Sequence, residues 1–418
     1  MELSPDQRQL LEGAAGDAAA MAMRILVDMA KVAGVDRFVP IVSAHIDGCL
    51  FHGPSGTYFA EKLQAGRGRV RVPTTLNVGA MDLVNPQNVR LRGRERDLAV
   101  RQMNAYVAMG CTPTWTCAPY QAGHRPAPGE QVAWAESNAV VFANSVLGAR
   151  TNRYGDFMDI CCALTGLAPY AGLHVTENRV ARIVVDTSEI PDALKEREDF
   201  YPVLGAWLGR TVGSSVAVID GLPADISEDR LKALGASAAS TGAVGLFHVT
   251  GVTPEAPDLD AALGGRPPSE VIRLEAGMLL DEHGRMNTAA GERIDVVALG
   301  SPHFSVDEFQ ATLAILDGRR AQVPVYACTG RHALEELEER GLLAELEAAG
   351  VHIILDTCVV VTPVLEAASG VLMTNSGKFA HYSPSLIGHE VLFGSLGECL
   401  ESAVTGSLQR DPDAWGGR

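Results

Sequence analysis

The chain has 418 residues, of which 47% are apolar, which is enough for two or three domains with substantial cores. Its 51 acidic and 34 basic residues give a formal net charge of -17, which argues against nucleic acid and anionic membranes as partners. No apolar run approaches the roughly 20 residues of a membrane span, and the first residues lack a signal-peptide pattern, so we expect a cytoplasmic protein. In that compartment the 8 dispersed cysteines are expected to be core, ligand or catalytic thiols rather than a disulfide framework.

The first predicted elements are a long helix and a strand. Ser4 as N-cap and Pro5 at the first helical position start a helix that we expect to reach residue 33, where Gly34 ends it. An apolar, β-branched run at 38–44 predicts a strand. Two further helices are predicted at 97–109 and 131–147.

The second half of the chain predicts a parallel sheet. Three short apolar strands at 179–186, 215–220 and 244–249 precede a Pro- and Gly-rich segment at 252–268, which is expected to be a surface loop or domain connection. After it, strands alternate with helices in a βαβαβ pattern typical of a parallel sheet covered on both faces. The strands are predicted at 294–299, 323–327 and 351–355, and the helices at 305–316 and 333–349.

These elements predict an α/β protein with two main regions. An N-terminal region at 1–292, expected to contain two interleaved α/β subdomains, precedes a C-terminal βαβαβ domain at 293–408. A polar, Gly-rich tail at 409–418 is expected to be mobile.

Candidate metal ligands occur in loops that follow predicted strands or helices. Cys117 lies in a loop with small and polar neighbours, Ser301 and His303 follow one strand, and Cys358 follows another. Thiolates are strong ligands for zinc and iron–sulfur clusters, but the spacing has no CxxC or HExxH motif. Cys111 is either a further ligand or a residue packed at a helix end. The residues alone therefore allow an iron–sulfur enzyme, a zinc hydrolase using Cys117, Cys358 and His303, or an iron–sulfur electron carrier.

Other polar residues occur in loops or interrupt apolar segments. His45, with Asp47 beside it, could relay a proton or orient a hydroxyl group, and Asn77 could bind a substrate through its amide. Glu136 and Ser137 interrupt an apolar segment, where unpaired burial would be costly. Lys378, in a polar loop after an apolar strand, could bind a carboxylate or a phosphate.

Eight short motifs are spread in order over most of the chain. They are Ser43-Ala44-His45, Thr74-Thr75-Leu76-Asn77, Cys111 through Tyr120, Ala135 through Ala139, Asn152-Arg153, Leu299 through His303, Asp356-Thr357-Cys358 and Asn375 through Lys378. Together they resemble the large subunit of the aconitase X family. That resemblance implies an aconitase-like multi-domain α/β assembly with parallel sheets around an iron–sulfur cluster. It also implies a separate small subunit, the swivelling domain.

The resemblance assigns the cluster ligands to Cys117, Ser301 and Cys358. Related archaeal sequences have cysteine at the middle position, so Ser301 is a departure that leaves the third ligand open to His303 or Cys111. It also leaves open whether the cluster is 2Fe-2S or 4Fe-4S. The substrate-binding positions of the family correspond to Gly48, Cys49, Asn77, Val78, Glu136, Ser137 and Lys378.

Two activities are implied by the resemblance, and both remove water from a small hydroxy acid. The expected one is dehydration of cis-3-hydroxy-L-proline in hydroxyproline catabolism, because the residues of the substrate loop differ from the archaeal pattern. The alternative is phosphomevalonate dehydration. In either reaction Lys378 would hold an anionic group of the substrate, and Glu136 or His45 would protonate or orient the departing hydroxyl. The base is expected on the small subunit.

Overall fold

A computed structural model describes residues 2–366, 369–411 and 415. The first region packs helices around a parallel three-stranded sheet of order β3-β2-β4 and a small antiparallel pair, β1-β5. Its helices are α1 Pro5–Leu11, α2 Asp17–Val32, α3 Pro54–Ala65, α4 Gly93–Ala108, α5 Ser137–Ser145 and α6 Met158–Thr165. Its strands are β1 Phe38–Pro40, β2 Ser43–Ile46, β3 Thr74–Leu76, β4 Val132–Trp134 and β5 Leu167–Pro169.

The second region contains a parallel four-stranded sheet of order β8-β7-β6-β9. Its strands follow those of the first region along the chain: β6 Ile183–Asp186, β7 Ala217–Asp220, β8 Phe247–Val249 and β9 Glu270–Arg273. The helices are α7 Asp192–Lys195, α8 Phe200–Val212, α9 Glu228–Thr241, α10 Leu259–Leu263 and α11 Ala276–Arg285. Gly205 allows α8 and α9 to pack closely, because a Cβ atom there would lie 2.1 Å from the Leu234 carbonyl oxygen.

The third region is the predicted parallel sheet, extended by two strands to the order β12-β11-β10-β13-β14. Its strands are β10 Val296–Leu299, β11 Val325–Thr329, β12 Val351–Leu355, β13 Gly370–Thr374 and β14 His389–Phe393. The helices are α12 Val306–Leu316, α13 Arg331–Glu339, α14 Leu342–Ala348, α15 Gly377–Leu386 and α16 Leu396–Thr405. In the described part of the chain, no helix has the length and apolar character needed to cross a membrane.

Four predicted boundaries differ from the structure for local reasons. The first helix is two helices, because Gly13 and Gly16 have φ angles of 91° and 99°, outside the helical region. Gly341, with φ 74°, likewise divides the helix predicted at 333–349. The strand predicted at 38–44 is divided into β1 and β2, and the loop predicted at 252–268 contains α10.

The segment 131–147 was predicted as one helix but is a strand followed by a helix. Val132–Trp134 is fully buried and pairs in parallel with β2, so its apolar run fills the centre of a small sheet. Glu136 then caps α5, its side chain accepting the backbone N–H of Ala139. This boundary places Glu136 at the carboxyl end of β4, where parallel sheets bind ligands.

The tail predicted to be mobile is described only in part, since 412–414 and 416–418 lie outside the described residues. In the described part, Arg410 donates from Nη2 to Asn287 Oδ1 at 2.9 Å, and Trp415 donates from Nε1 to Asp199 Oδ2 at 3.1 Å. The boundary between residues 292 and 293 and the mobility of the tail stay predictions.

Candidate active site

Loops from the first and third regions meet around a cavity of about 340 Å³. Each loop follows the carboxyl end of a parallel strand or lies beside one, as expected for a binding site in an α/β protein. The first region contributes Asp47 after β2, Asn77 and Val78 after β3, Cys117, and Glu136 and Ser137 after β4. The third region contributes Ser301 after β10, Cys358 after β12, and Lys378 at the start of α15.

The Ser301 loop depends on the glycine that precedes it. Gly300 has a φ angle of 84°, and a Cβ atom there would lie 2.1 Å from the carbonyl oxygen of Cys328. Only glycine permits both the left-handed conformation and this close approach. On the other side, the Ser376 hydroxyl donates to the Ser301 carbonyl oxygen, which holds the loop against the start of α15.

Two cysteine thiols face the cavity and are close enough to influence each other. Burial, and then the Glu136 charge, raise the pKa of Cys117 to about 12, while Lys378 and a hydrogen bond from the His303 backbone N–H oppose the rise. Burial also raises the pKa of Cys358, and Lys378 opposes that rise. Both residues are therefore neutral thiols at pH 7 unless a metal cation displaces their protons.

The residues around these thiols fit an iron–sulfur group in their chemistry. Two thiols and the Ser301 hydroxyl line one cavity, and the Lys378 ammonium favours the thiolate forms that such a group requires. In the part of the chain that the structure describes, no group of three or more His, Cys, Asp or Glu side chains is placed to hold a metal ion. The protein thus offers two sulfur donors, with Ser301 as the adjacent oxygen donor.

His303 and Cys111, the two alternative ligands, do not line this cavity. His303 is fully buried, and both of its ring nitrogens are engaged, Nδ1 with Thr116 Oγ1 at 3.0 Å and Nε2 with the Thr357 carbonyl oxygen at 3.3 Å. Cys111 is 3% exposed and packs in the core of the first region. Neither arrangement favours metal binding, which also weakens the zinc hydrolase interpretation that needs His303.

Glu136 and Lys378 form a buried ion pair across the cavity. The ammonium donates to Glu136 Oε1, and the side chains are 4% and 14% exposed, respectively. Ser137 Oγ also donates to Oε1 at 3.2 Å, and the backbone N–H of Ala139 donates to Oε2 at 2.7 Å. Burial disfavours the ammonium, but the adjacent Glu136 and Cys117 outweigh it, so the pKa of Lys378 lies above its ordinary value. The ion pair therefore holds Lys378 in its charged form.

The residues predicted to bind the substrate in the loops after β2 and β3 fall into two groups, one lining the cavity and one supporting it. Asn77 and Val78 line the cavity, whereas Gly48 and Cys49 support it from behind. The Cys49 thiol donates to the carbonyl oxygens of Ile46 and Asn77 at 3.3 and 3.2 Å. The Gly48 N–H donates to Asp159 Oδ2 at 3.2 Å.

His45 is also placed behind the cavity. Its ring is fully buried beside Trp134, with Nδ1 2.8 Å from Thr75 Oγ1. Burial, and then the neighbouring His124, lower its pKa well below the ordinary value, so the ring is neutral. Its role as a proton donor stays a prediction, which this position does not favour.

Several cavity-lining residues were not among the site residues predicted from sequence. Asp47 was noted with His45 as a pair that could relay a proton or orient a hydroxyl group, and Arg153 only as part of a motif; Tyr154 and Tyr382 were not singled out. Asp47 could have been found from its position directly after the carboxyl end of β2. Tyr154 and Tyr382 carry no such signal in the sequence.

Comparison with known proteins identifies the family. Models described as the first, second and third domains of aconitase X match residues 1–177, 181–283 and 294–405, respectively. The chain belongs to the aconitase X family. Its structure is similar to the crystal structure of Thermococcus kodakaraensis aconitase X in the holo-form, with a TM-score of 0.86 and 31% identity. That match covers 96% of this chain and 100% of the other.

Curated relatives in this family are dehydratases. The chain is 44% identical to cis-3-hydroxy-L-proline dehydratase of Pseudomonas aeruginosa, over 97% of this chain and 70% of that enzyme. It is 42% identical to the Hypocrea jecorina protein of the same name, over 97% and 69%. It is 33% identical to the phosphomevalonate dehydratase large subunit of Methanosarcina mazei, over 99% and 100%. This aconitase X chain is therefore an enzyme of the hydro-lyase class.

Proposed function

We propose that the chain dehydrates cis-3-hydroxy-L-proline to 1-pyrroline-2-carboxylate. The observation that carries the proposal is the buried Lys378 ammonium on the wall of a cavity that also presents Cys117 and Cys358. A small anionic hydroxy acid fits a cavity of about 340 Å³ with this single buried cation. The identity of 44% with a cis-3-hydroxy-L-proline dehydratase supports the substrate.

The protein groups divide the work of binding and orientation. Lys378 binds the substrate carboxylate, and Glu136 holds that ammonium in place. Asn77 presents its amide to the hydroxyl or ring nitrogen of the substrate, since its Oδ1 is buried and lacks a hydrogen-bond partner in the described residues. Val78 closes the apolar side of the cavity.

Cys117 and Cys358 would hold an iron–sulfur cluster, with Ser301 as the third candidate ligand. When bound, such a cluster supplies Lewis acidity that favours departure of hydroxide. Cys117→Ala and Cys358→Ala should each abolish the visible absorbance of the cluster. Cys111→Ala, the matched control, should keep it, because that thiol packs in the core. Retained absorbance in either of the first two variants would contradict that ligand.

A small partner subunit carrying the swivelling domain is part of the proposal. The match to the P. aeruginosa enzyme covers 70% of that protein, so part of that enzyme lies outside the match. Five relatives, including that of M. mazei, are named large subunits. If the base lies on the partner, this chain alone should be nearly inactive.

The direct test is to mix the iron-loaded chain with its partner subunit and cis-3-hydroxy-L-proline, and to follow formation of the cyclic imine. Turnover is expected only when both chains are present. Absence of turnover with the cluster absorbance intact would contradict the substrate. Phosphomevalonate is assayed in parallel, because relatives about 33% identical bear that activity in their names and Lys378 could equally bind a phosphate.

A further inference from the structure

Asp47 has a geometry that the proposed roles have not used. Asp47 is a partly buried residue that lies in the lining of the cavity. The Asn77 amide donates to Oδ1, and among the described residues no donor binds Oδ2. Asp47 is thus fixed through one oxygen, while the other remains available to a molecule in the cavity.

The surroundings of Asp47 favour the neutral carboxylic acid. Burial, and then the negative charges of Glu136, Asp156 and Asp159, raise its pKa to about 8, and the Asn77 hydrogen bond opposes this only in part. The other groups near it are the neutral Cys49 thiol and, beyond Glu136, the Lys378 ammonium, whose charge Glu136 balances. A carboxyl group with this environment carries a proton at pH 7.

The neighbouring backbone keeps Asp47 in place. Asp159 accepts the backbone N–H of Asp47 at 2.7 Å and that of Gly48 at 3.2 Å, so the turn after β2 is anchored to the start of α6. The Asn77 side chain, whose Nδ2 donates to Asp47 Oδ1, lines the same cavity and fixes the carboxyl from the other side.

We propose that Asp47 is the catalytic acid of the dehydration, a role that rests on the proposed function. The Asp47 Oδ2 proton passes to the hydroxyl oxygen on C3 of the substrate as the C3–O bond breaks, and water leaves. The electrons of the C2–H bond become the new C2=C3 double bond, while the base takes the C2 proton. The resulting enamine becomes the cyclic imine when the ring N–H proton is lost and C3 gains a proton. Asp47 ends as a carboxylate and regains its proton from the base or from solvent before the next cycle.

The two side chains expected from sequence to donate this proton are less suited to it. Glu136 accepts hydrogen bonds from Lys378, Ser137 and Ala139, so both of its carboxyl oxygens are already engaged. His45 does not line the cavity, and its lowered pKa keeps the ring neutral. Of the three side chains, Asp47 is the one that lines the cavity and has an environment that favours its protonated form.

The test compares wild type with Asp47→Asn, Asp47→Glu and the control Glu282→Gln. The first should lower kcat by about 10²–10⁴-fold with little change in KM or cluster absorbance. The second should recover part of that loss, because it restores an acid on a longer side chain. The control removes another buried carboxylate, which is paired with Arg210 and is not part of the cavity lining, and should leave kcat within about threefold.

The pH profile separates a proton donor from a merely structural carboxyl group. In wild type, kcat should fall as the pH rises past about 8, because Asp47 loses its proton there. The residual activity of Asp47→Asn should lack this limb. A kcat for Asp47→Asn within a few-fold of wild type, or a persisting alkaline limb in that variant, would overturn the proposal.

A second measurement keeps the inference independent of the substrate. If wild type turns over neither hydroxyproline nor phosphomevalonate, the proposed function fails, and the Asp47 carboxyl is titrated directly by carbon-13 NMR, assigned with Asp47→Asn. A titration midpoint near pH 8 for the Asp47 carboxyl would support its protonated form at pH 7. A midpoint near the ordinary value of about 4 would refute it.

Discussion

Two buried lysines, Lys378 and Lys232, are both ion-paired but have different surroundings. The Lys378 side chain is 14% exposed, lines the cavity and pairs with one carboxylate, that of Glu136. Lys232 is 2% exposed and pairs with two, at 2.7 Å from Asp229 and in contact with Glu308, and it also donates to the His303 carbonyl oxygen. Lys232 therefore joins α9 to the start of the third region.

The difference between them lies in the donors that remain. An ammonium has three N–H groups, and Lys232 directs them at three oxygens of the protein. Lys378 has a single hydrogen-bond acceptor among the described residues, Glu136. Its remaining donors are available to a ligand, so burial and pairing alone do not distinguish a structural lysine from a binding one. The two kinds differ in the number of ammonium N–H groups that have no protein acceptor.

The largest expected effect comes from removing each ammonium in turn. Lys378→Met should lower kcat/KM by on the order of 10²–10³-fold, because a buried charged contact to the substrate is lost. Lys232→Met should leave kcat/KM of the folded protein within about threefold. Steady-state kinetics on folded, iron-loaded samples measures kcat/KM for both variants. Equal losses of activity in the two variants would contradict the distinction.

Stability should respond in both variants, because each leaves a carboxylate buried without its cation. Breaking a buried ion pair from one side costs about 3–5 kcal/mol. Adding Glu136→Leu to Lys378→Met should recover much of that stability without restoring activity, because neither charge remains to be desolvated. Urea denaturation of the single and double variants measures the free energy of unfolding. A double variant no more stable than Lys378→Met would show that the pair is not coupled.

The smallest expected effect is the pH dependence of stability contributed by Glu308, which pairs with Lys232. Burial raises the pKa of Glu308 to about 7 despite Lys232, and Asp229 contributes to the rise. A carboxyl group whose pKa is raised on folding destabilises the fold as the pH increases from its unfolded pKa to its folded one. The contribution of Glu308 to the free energy of unfolding should therefore fall between about pH 4.5 and 7, by at most ~1.4 kcal/mol per pH unit.

Glu308→Gln tests this contribution. The fall between pH 4.5 and 7 should be shallower in the variant, because a neutral amide replaces the titrating group. Denaturation at several pH values measures the difference. An unchanged pH dependence in the variant would assign the effect to other groups.

The sequence predicted the third region well because its periodicity is strong. The strand at 351–355 and the alternation of strands and helices are both observed. The segment 131–147 was misassigned because a short, fully buried apolar run has no periodicity that separates strand from helix. The strand assignment depends on the pairing with β2, and that pairing is a tertiary contact that the local sequence does not show.

The sequence indicated which loops form the candidate site, but not what each residue does there. Cys117, Ser301 and Cys358 line one cavity, as their positions after secondary-structure elements indicated. Sequence could not show that both ring nitrogens of His303 are engaged, or that Cys49 faces inward. The protonation of Asp47 depends on burial and on Glu136, Asp156 and Asp159, which the fold brings together from distant parts of the chain.

The ion pair between Glu136 and Lys378 has a consequence for biosynthesis. Its two residues are 242 positions apart in the chain, and Cys117 and Cys358 are separated in a similar way. During translation, the first half of the site leaves the ribosome long before its counterpart. For that time Glu136 has no cation, and the Cys117 thiol lacks its second sulfur neighbour. Insertion of the proposed cluster would therefore follow synthesis of the third region, as a late step of maturation rather than a guide to early folding.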